Sequence, residues 1–564
     1  MANLSQLKRE KMLAFLEKLK EQHTDDESLI ALGEIEKELK SKKYGLVWEE
    51  HEEAVDVQMK TQIPVFTEVK EREICADENG AYNFLLEGDN LHSLYLLEKT
   101  HKGKIDVIAI DVPYNTGNKD FIYDDSYVVK EDGYHHSKWL SFMKKRLEIA
   151  QKLLSENGVI FINIDDIEHA QLKLLCDEIF GETNFISSIP WHNRTSMQND
   201  TDISVNHEYI LAYAKYRRPD NRRLKDSNRS KWKALKGFTF IPKEVDKSKF
   251  SNPDNDPRGL WKADPFDAPN IRPNLTYPIT NPVTGEQHLP PKGRHWRISP
   301  EKFASALADN RIIFGKNGKG RPQMKIFYNE VSYKGAVPDS WFDAHIFGTS
   351  TQGKKELLNI LSDAEQVFST PKPTQLYIEL LKMSSFKNAT ILDFFAGSGT
   401  TGHAVMELNK QDGGHRKFIL CNNNENKICE EMTYQRLKTV ITGKRADGSE
   451  YSEGIPANLK YFKTDFVDKD SEDLSDELLN HIKEMIELEH GIKVDNQRYV
   501  IILTDEDMDK FEQDIDKYAN LKAVFVNQDI LLTSTQQKLL DSINSYIIPD
   551  YYFDFELREA GELW

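Results

Sequence analysis

The chain has 564 residues, of which 39% are hydrophobic and 29% charged, the composition of an ordinary globular protein with room for roughly two to four domains. No apolar run approaches the ~18 residues of a membrane span, and the charged, amphipathic N-terminus lacks the apolar core of a signal peptide. Four cysteines without CxxC spacing argue against a disulfide framework and against a metal site, and they fit a reducing cytoplasm; the net charge of −18 argues at first against a polyanionic partner.

Residues 1–60 read as a charged helical segment, with Leu7, Met12, Phe15, Leu16 and Leu19 at roughly helical spacing. Residues 61–215 alternate strands and helices. YNFLLEGDN closes a strand, LHSLYLLEKT is helical, IDVIAI is a strand and HSKWLSFMKKRLEIAQKLL a long helix. The strand VIFINID, the helix EHAQLKLLCDEIF and the strand-like HEYILAYAK follow. This rhythm predicts a parallel sheet with helical crossovers. From 216 to 365 the texture becomes rich in Pro, Gly, Asn, Arg and Trp, which marks an inserted domain of short strands and long loops. Residues 190–335 hold 27 Lys and Arg against 15 Asp and Glu, a net of +12. A basic block inside an acidic chain is a candidate footprint for nucleic acid. The α/β rhythm resumes over 366–459 with the helix TQLYIELLKMSS, the strand ATILDFF, a glycine-rich turn, the helix HAVMELNK and the strand KFILCNN. Residues 460–564 form an acidic α/β segment with 11 basic and 25 acidic residues, a net of −14.

Two strand ends stand out. ILDFFAGSGTTGHAVMEL is strand, turn, helix, and its glycines let the backbone turn sharply and approach a ligand closely. Gly397, Ser398, Gly399 and Thr400 open the run GSGTTG, which satisfies a dinucleotide pattern that suits NAD. They suit S-adenosylmethionine equally, with Asp393 facing its ammonium group, Phe395 packing beside it and Glu425 accepting from the ribose hydroxyls. The second strand end is IDVIAIDVPYNTG. Here a buried strand stops on Asp111, followed by Val112, Pro113 and Tyr114, as though an acid and an aromatic ring were placed to hold something flat.

Together these features resemble the β-type amino-methyltransferases of DNA, whose corner motif is Asp-Pro-Pro-Tyr or a close variant. The resemblance extends to LLEGDNLHSL, where Asp89 matches an acid that holds the cofactor's adenine. It extends also to FSTPKPTQL, where Phe368, Lys372 and Pro373 match a cofactor-side motif. With the corner before the glycine turn and a divergent domain between them, the order is that of the β type. NTGNKDFIYDD, YPITNPVTG, GRHWRIS and NLKYFKTDFV look most like the Mod subunit of type III restriction–modification systems.

The resemblance implies a Rossmann-like α/β methyltransferase with a mixed sheet in permuted motif order, an inserted target-recognition domain at 216–365 and a C-terminal α/β segment. It implies S-adenosylmethionine as cofactor and double-stranded DNA as substrate, with a homodimer and a Res helicase–nuclease as partners and no membrane. Asp111 would accept one hydrogen of adenine N6, the carbonyls of Val112 and Pro113 another, and Tyr114 would stack on the flipped base. Arg294, Trp296 and Arg297 are candidate DNA contacts. Val112 departs from the motif, since valine keeps the carbonyl but loses proline's fixed φ. A solitary adenine methyltransferase and a DNA-binding specificity subunit with impaired catalysis remain open as alternatives, as does N4-cytosine methylation, although serine is more usual than aspartate at the corner there.

Overall fold

The computed structural model describes the chain except residues 1–3, 24, 41–47, 118–121, 124–125, 128–131, 198–200, 218–237, 239, 242, 316, 333–334, 362–369, 549–551 and 560–564. Two helices, α1 (Leu4–Gln22) and α2 (Asp26–Lys40), pack together near the start of the chain, and α3 (Ala54–Thr61) leads into the sheet.

Among the described residues nine strands build the main sheet: β1 (Gln62–Glu68), β2 (Tyr82–Glu87), β3 (Ile105–Asp111), β4 (Leu154–Ile164), β5 (Phe185–Trp191), β6 (Glu208–Ala214), β7 (Thr390–Asp393), β8 (Lys417–Asn422) and β9 (Asn458–Asp468). Their spatial order is β1-β9-β2-β8-β7-β3-β4-β6-β5. The run from β9 to β4 is parallel, while β1, β6 and β5 join antiparallel. The sheet is therefore mixed, as expected, with helices as its crossovers.

Both faces of the sheet are covered, which is why IDVIAI is almost unbrokenly apolar rather than alternating. Ile108, Ile110, Ile160 and Ile162 pack with α4 (Asn90–His101) and α5 (His135–Leu153). Val107, Ala109, Val159 and Phe161 pack with α8 (Thr374–Ser384), α9 (Thr400–Asp412) and α10 (Tyr434–Thr442). The helices α6 (His169–Cys176) and α7 (Ser350–Ile360) precede these last three in the chain. From β7 the chain steps to β8 on one side, and from β3 to β4 on the other. The crevice above their carboxyl ends is thus a switch point, where α/β sheets bind ligands.

The inserted stretch carries a small sheet of its own, Ile312–Ile313, Gln323–Phe327 and Trp261–Pro265, over a separate core of Phe266, Ile279, Trp296, Phe303 and Phe314. Toward its end, Phe342 bridges to Trp191, and Phe347 and Ile360 join the main core. After β9 comes α11 (Ile482–His490), then a parallel three-stranded sheet of Tyr499–Ile502, Ala523–Asn527 and Ser545–Ile548. The expected boundary at 459/460 falls inside β9, which lies between β1 and β2 in the main sheet. Within β9 the fully buried Lys460 pairs with Glu68 of β1 and, at 2.7 Å, with Glu487 of α11. Buried charge of this kind is tolerated only when paired.

Candidate active site at the carboxyl edge of the sheet

Strand β7 pairs in parallel with β3 through Ile391–Val107 and Leu392–Ile108, so the glycine turn and the Asp111 corner leave the sheet side by side. The glycine turn is shaped by Asp393. Its carboxylate, 2% exposed, accepts the Phe395 N–H at 3.0 Å and the Thr401 hydroxyl at 2.6 Å. Burial pushes its carboxyl up to about 7 against those two hydrogen bonds. Gly397 and Gly399 take left-handed φ of 49° and 76°, which glycine adopts without steric cost. Gly399 caps α9, and a Cβ there would come within 3.2 Å of Thr433. Phe395 is half-buried and packs against Phe394 and Phe142.

Beneath the turn lies Arg436, with no exposed side-chain surface. Its Nη1 donates to the Thr400 hydroxyl at 2.8 Å and the Ser398 hydroxyl at 3.1 Å, and its Nη2 to the Thr374 hydroxyl at 2.9 Å. One guanidinium thus joins the glycine turn, the start of α8 and α10. Burial lowers it to about 10, against the pull of Glu356. Sequence reasoning missed it, although it sits in the apolar stripe of α10 with Leu437 and Val440, where a cation needs an explanation.

At the corner, the Lys372 side chain reaches across to Asp111, Glu208 and Tyr114. Its Nζ lies 3.0 Å from Asp111 Oδ2 and 3.2 Å from Glu208 Oε2, and it donates to the Tyr114 oxygen at 2.8 Å. The Tyr114 hydroxyl stands 3.0 Å from Asp111 Oδ1 and 2.9 Å from Glu208 Oε2, so its one proton has two carboxylates to choose from. Burial raises the Asp111 carboxyl above the usual range; Lys372 opposes this and Glu208 adds to it. Burial also works against the charge of Lys372, but Asp111 and Glu208 outweigh it and hold the ammonium above its ordinary range. The neighbouring Pro373 precedes α8 as its N-cap, and the Lys372 carbonyl accepts from the Thr400 hydroxyl at 3.4 Å. One dipeptide therefore touches both strand ends.

The two backbone acceptors divide. The indole of Trp139 donates to the Pro113 carbonyl at 2.7 Å, which takes one of that oxygen's two lone pairs. The Val112 carbonyl stays a candidate beside it. Val112 itself is 3% exposed and packed in the core. Packing on one side and the Trp139 bond on the other brace the corner where proline's ring is missing.

Asp89 and Glu425 lie along the same edge, after β2 and β8. Asp89 caps α4 by accepting the Leu91 N–H at 2.7 Å and pairs with the buried Arg146 at 3.3 Å. Next to it, Asn90 donates to the Phe394 carbonyl at 2.9 Å, tying α4 to the glycine turn. Glu425 is exposed in the turn after β8. Phe368 lies outside the described residues. The three proposed DNA contacts sit apart, in the inserted unit. Trp296 is 1% exposed, packs tilted against Phe266 and donates to the Tyr277 carbonyl at 2.7 Å. It is a core residue, a correction to the expectation that it reads DNA. Arg294 pairs with Asp267 and Arg297 with Asp264, each remaining partly exposed. Among the described residues no group of three or more His, Cys, Asp or Glu is placed to hold a metal.

A family model described as DNA methylase, of N6/N4 type, matches residues 105–433. The Mod subunit of the type III restriction–modification enzyme StyLTI from Salmonella typhimurium is 36% identical over 375 residues, 62% of this chain and 54% of that protein. The type II methyltransferase M.KpnI from Klebsiella pneumoniae is 34% identical over 366 residues, 60% of this chain and 79% of that protein. The EcoPI Mod subunit of Escherichia phage P1 is 31% identical over 396 residues, 62% of this chain and 58% of that protein. The chain thus matches little more than half the length of these two Mod subunits.

Proposed function

Since the chain belongs to the N6/N4 DNA methylase family, we propose that it is a site-specific DNA methyltransferase that uses S-adenosylmethionine to methylate adenine N6 on a base flipped out of the duplex. The observation that carries this reading is the pairing of Asp111 and Tyr114 at the end of β3, beside the glycine turn that ends β7. The residues around that turn fit the cofactor: a buried carboxyl, two left-handed glycines and a half-buried phenylalanine. When bound, it supplies an electrophilic methyl group, and the chain does the rest. Adenine N6 is a poor nucleophile because its lone pair is delocalised into the ring. Asp111 accepts one N6 hydrogen and the Val112 carbonyl the other, drawing the nitrogen toward a tetrahedral shape. Tyr114 offers its ring to the base, a contact of about 1–3 kcal/mol, while hydrogen bonds at its hydroxyl hold the ring plane still. Fixing the two reacting atoms in line contributes much of the acceleration.

The basic inserted unit is the proposed target-recognition domain, its Lys and Arg contacting phosphates and positioning the protein for base readout. Arg294 and Arg297 act there after exchange with their aspartates. On the similarity to Mod subunits, the partners proposed are a second copy of the chain and a Res helicase–nuclease. M.KpnI, covered over 79% of its length, favours a second reading, a methyltransferase that works without a nuclease subunit. Among the described residues no helix is long and apolar enough to cross a membrane, and the cytoplasm is the proposed location.

Methylation-aware sequencing of DNA from cells expressing the chain is expected to show N6-methyladenine at one short recurring sequence. Unmodified DNA, or methyl groups on cytosine N4, would reject the adenine reading. Cofactor affinity also carries a pH signature. The Asp393 carboxyl, pushed up to about 7, holds its proton below that pH, and a cationic ligand must then displace it. Affinity for S-adenosylmethionine in calorimetry is expected to fall as pH drops through about 7, approaching tenfold per unit. Asp393→Asn should flatten the dependence, and an unchanged slope in that variant would detach Asp393 from the cofactor.

A further inference from the structure

Glu208 matches no motif of the sequence. It opens β6, which runs antiparallel to β4, so its side chain stands at the carboxyl edge where β3 ends. Both of its oxygens are engaged. Oε1 accepts from Asn193 Nδ2 at 2.7 Å, and Oε2 faces the Tyr114 hydroxyl at 2.9 Å and Lys372 Nζ at 3.2 Å. The side chain is 17% exposed and that of Lys372 6%. The three N–H bonds of the ammonium are thereby divided among Asp111, Glu208 and Tyr114, in a setting where charges act strongly.

We infer that Glu208 is a positioning residue for methyl transfer, governing the acceptor Asp111 through the Lys372 ammonium and the Tyr114 hydroxyl that both carboxylates share. The inference rests on the adenine-methyltransferase reading. Without Glu208, Asp111 would be the one carboxylate left beside the Lys372 ammonium, which would then draw more tightly on the lone pairs that N6 needs. With Glu208 present, the ammonium is shared, and a second negative charge favours a proton on Asp111. The remaining charged and titratable neighbours felt at Asp111 are Asp393 and Tyr377, which stay constant when Glu208 is changed. A carboxylate of higher proton affinity is the stronger acceptor in the transition state. As the methyl–nitrogen bond forms, the sulfonium's sulfur–methyl bond would break with its electron pair left on sulfur as a neutral thioether; one N–H bond of N6 breaks and Asp111 gains an O–H. Tyr114 can pass that proton on: Asp111 O–H breaks, Tyr114 gains a proton from it and gives its own to Glu208, and Glu208 releases it to water.

The test uses the full chain, labelled S-adenosylmethionine and a duplex bearing the sequence found methylated in cells. Single-turnover rates are followed across pH. Glu208→Gln is expected to lower the plateau rate on the order of ten- to a hundredfold and to move the acid limb to lower pH, because losing a negative neighbour lowers the pKa of Asp111. Glu208→Asp, which keeps the charge, should fall between the two on both measures. A rate that falls only in step with cofactor affinity measured by calorimetry, with the acid limb unmoved, would overturn the inference. If Glu208→Gln does not fold, Glu208→Asp decides alone, and native rate with a native limb would overturn it. A native chain that transfers no methyl group to this duplex fails the adenine reading itself, and the inference falls with it.

Discussion

Asp111→Ala is expected to lower methyl transfer by several orders of magnitude while binding of S-adenosylmethionine and DNA persists. Asp111 is the carboxylate placed at the end of β3 to accept a hydrogen from N6, and that interaction grows as the nitrogen becomes cationic, so its loss falls on the transition state. The fold should tolerate the change. After the substitution Lys372 still has Glu208 at 3.2 Å and the Tyr114 oxygen at 2.8 Å. No buried charge is orphaned. Asp111→Asn retains one acceptor and should keep part of the rate. Single-turnover kinetics, calorimetry with the cofactor and gel shifts with the duplex separate these terms. A rate within about tenfold of native in Asp111→Ala would remove this residue from the chemistry, since a positioned acid–base group contributes ~10²–10⁴-fold.

Arg436→Ala should strike stability and cofactor binding together. The guanidinium is fully buried and bonds Ser398, Thr400 and Thr374. Removing it leaves a void the size of an arginine side chain and strips three buried hydroxyls of a donor. Breaking a buried charged network in this way costs on the order of 3–5 kcal/mol. The glycine turn loses its support from below, so cofactor affinity should fall even in molecules that remain folded. Denaturant titration measures the first effect and calorimetry the second. Arg436→Lys keeps the charge but cannot reproduce a fork that reaches two elements at once, and should recover little of either. Native affinity in Arg436→Ala would show that the turn holds its shape without this support.

Much of the sheet was readable because its strands and helices repeat with clear periods, and β3, β4, β7 and β8 fall where the apolar runs are. The Asp111 corner and the glycine turn were readable because few residue types permit their geometry. Other features were invisible for physical reasons. Lys372 belongs to a cofactor-side motif by position, but only folding shows its ammonium reaching 3.0 Å from Asp111. Glu208 looks like a polar start to an apolar strand, and its meaning depends on β6 running antiparallel to β4. Trp296 lies in a basic, aromatic stretch that reads as a DNA face, yet a small inserted unit must bury its few large rings to have any core. The Pro113 carbonyl is claimed by an indole 26 residues away in sequence, which no local pattern announces.

The placement of β9 has a consequence for the order in which the protein can be made. Gln62 pairs with Asp468, and their side chains bond across 406 positions of sequence. β1 touches the main sheet through β9 alone, and β2 has β9 as one of its two neighbours. A ribosome adding ~5–20 residues per second exposes β1 roughly 20–80 s before its partner emerges. During that interval two apolar strands stand with unpaired edges, and unpaired edges invite association with other chains. Nascent copies of this protein therefore depend on what shields an open sheet edge during synthesis, and a slow codon late in the message would lengthen the exposure of its earliest strand.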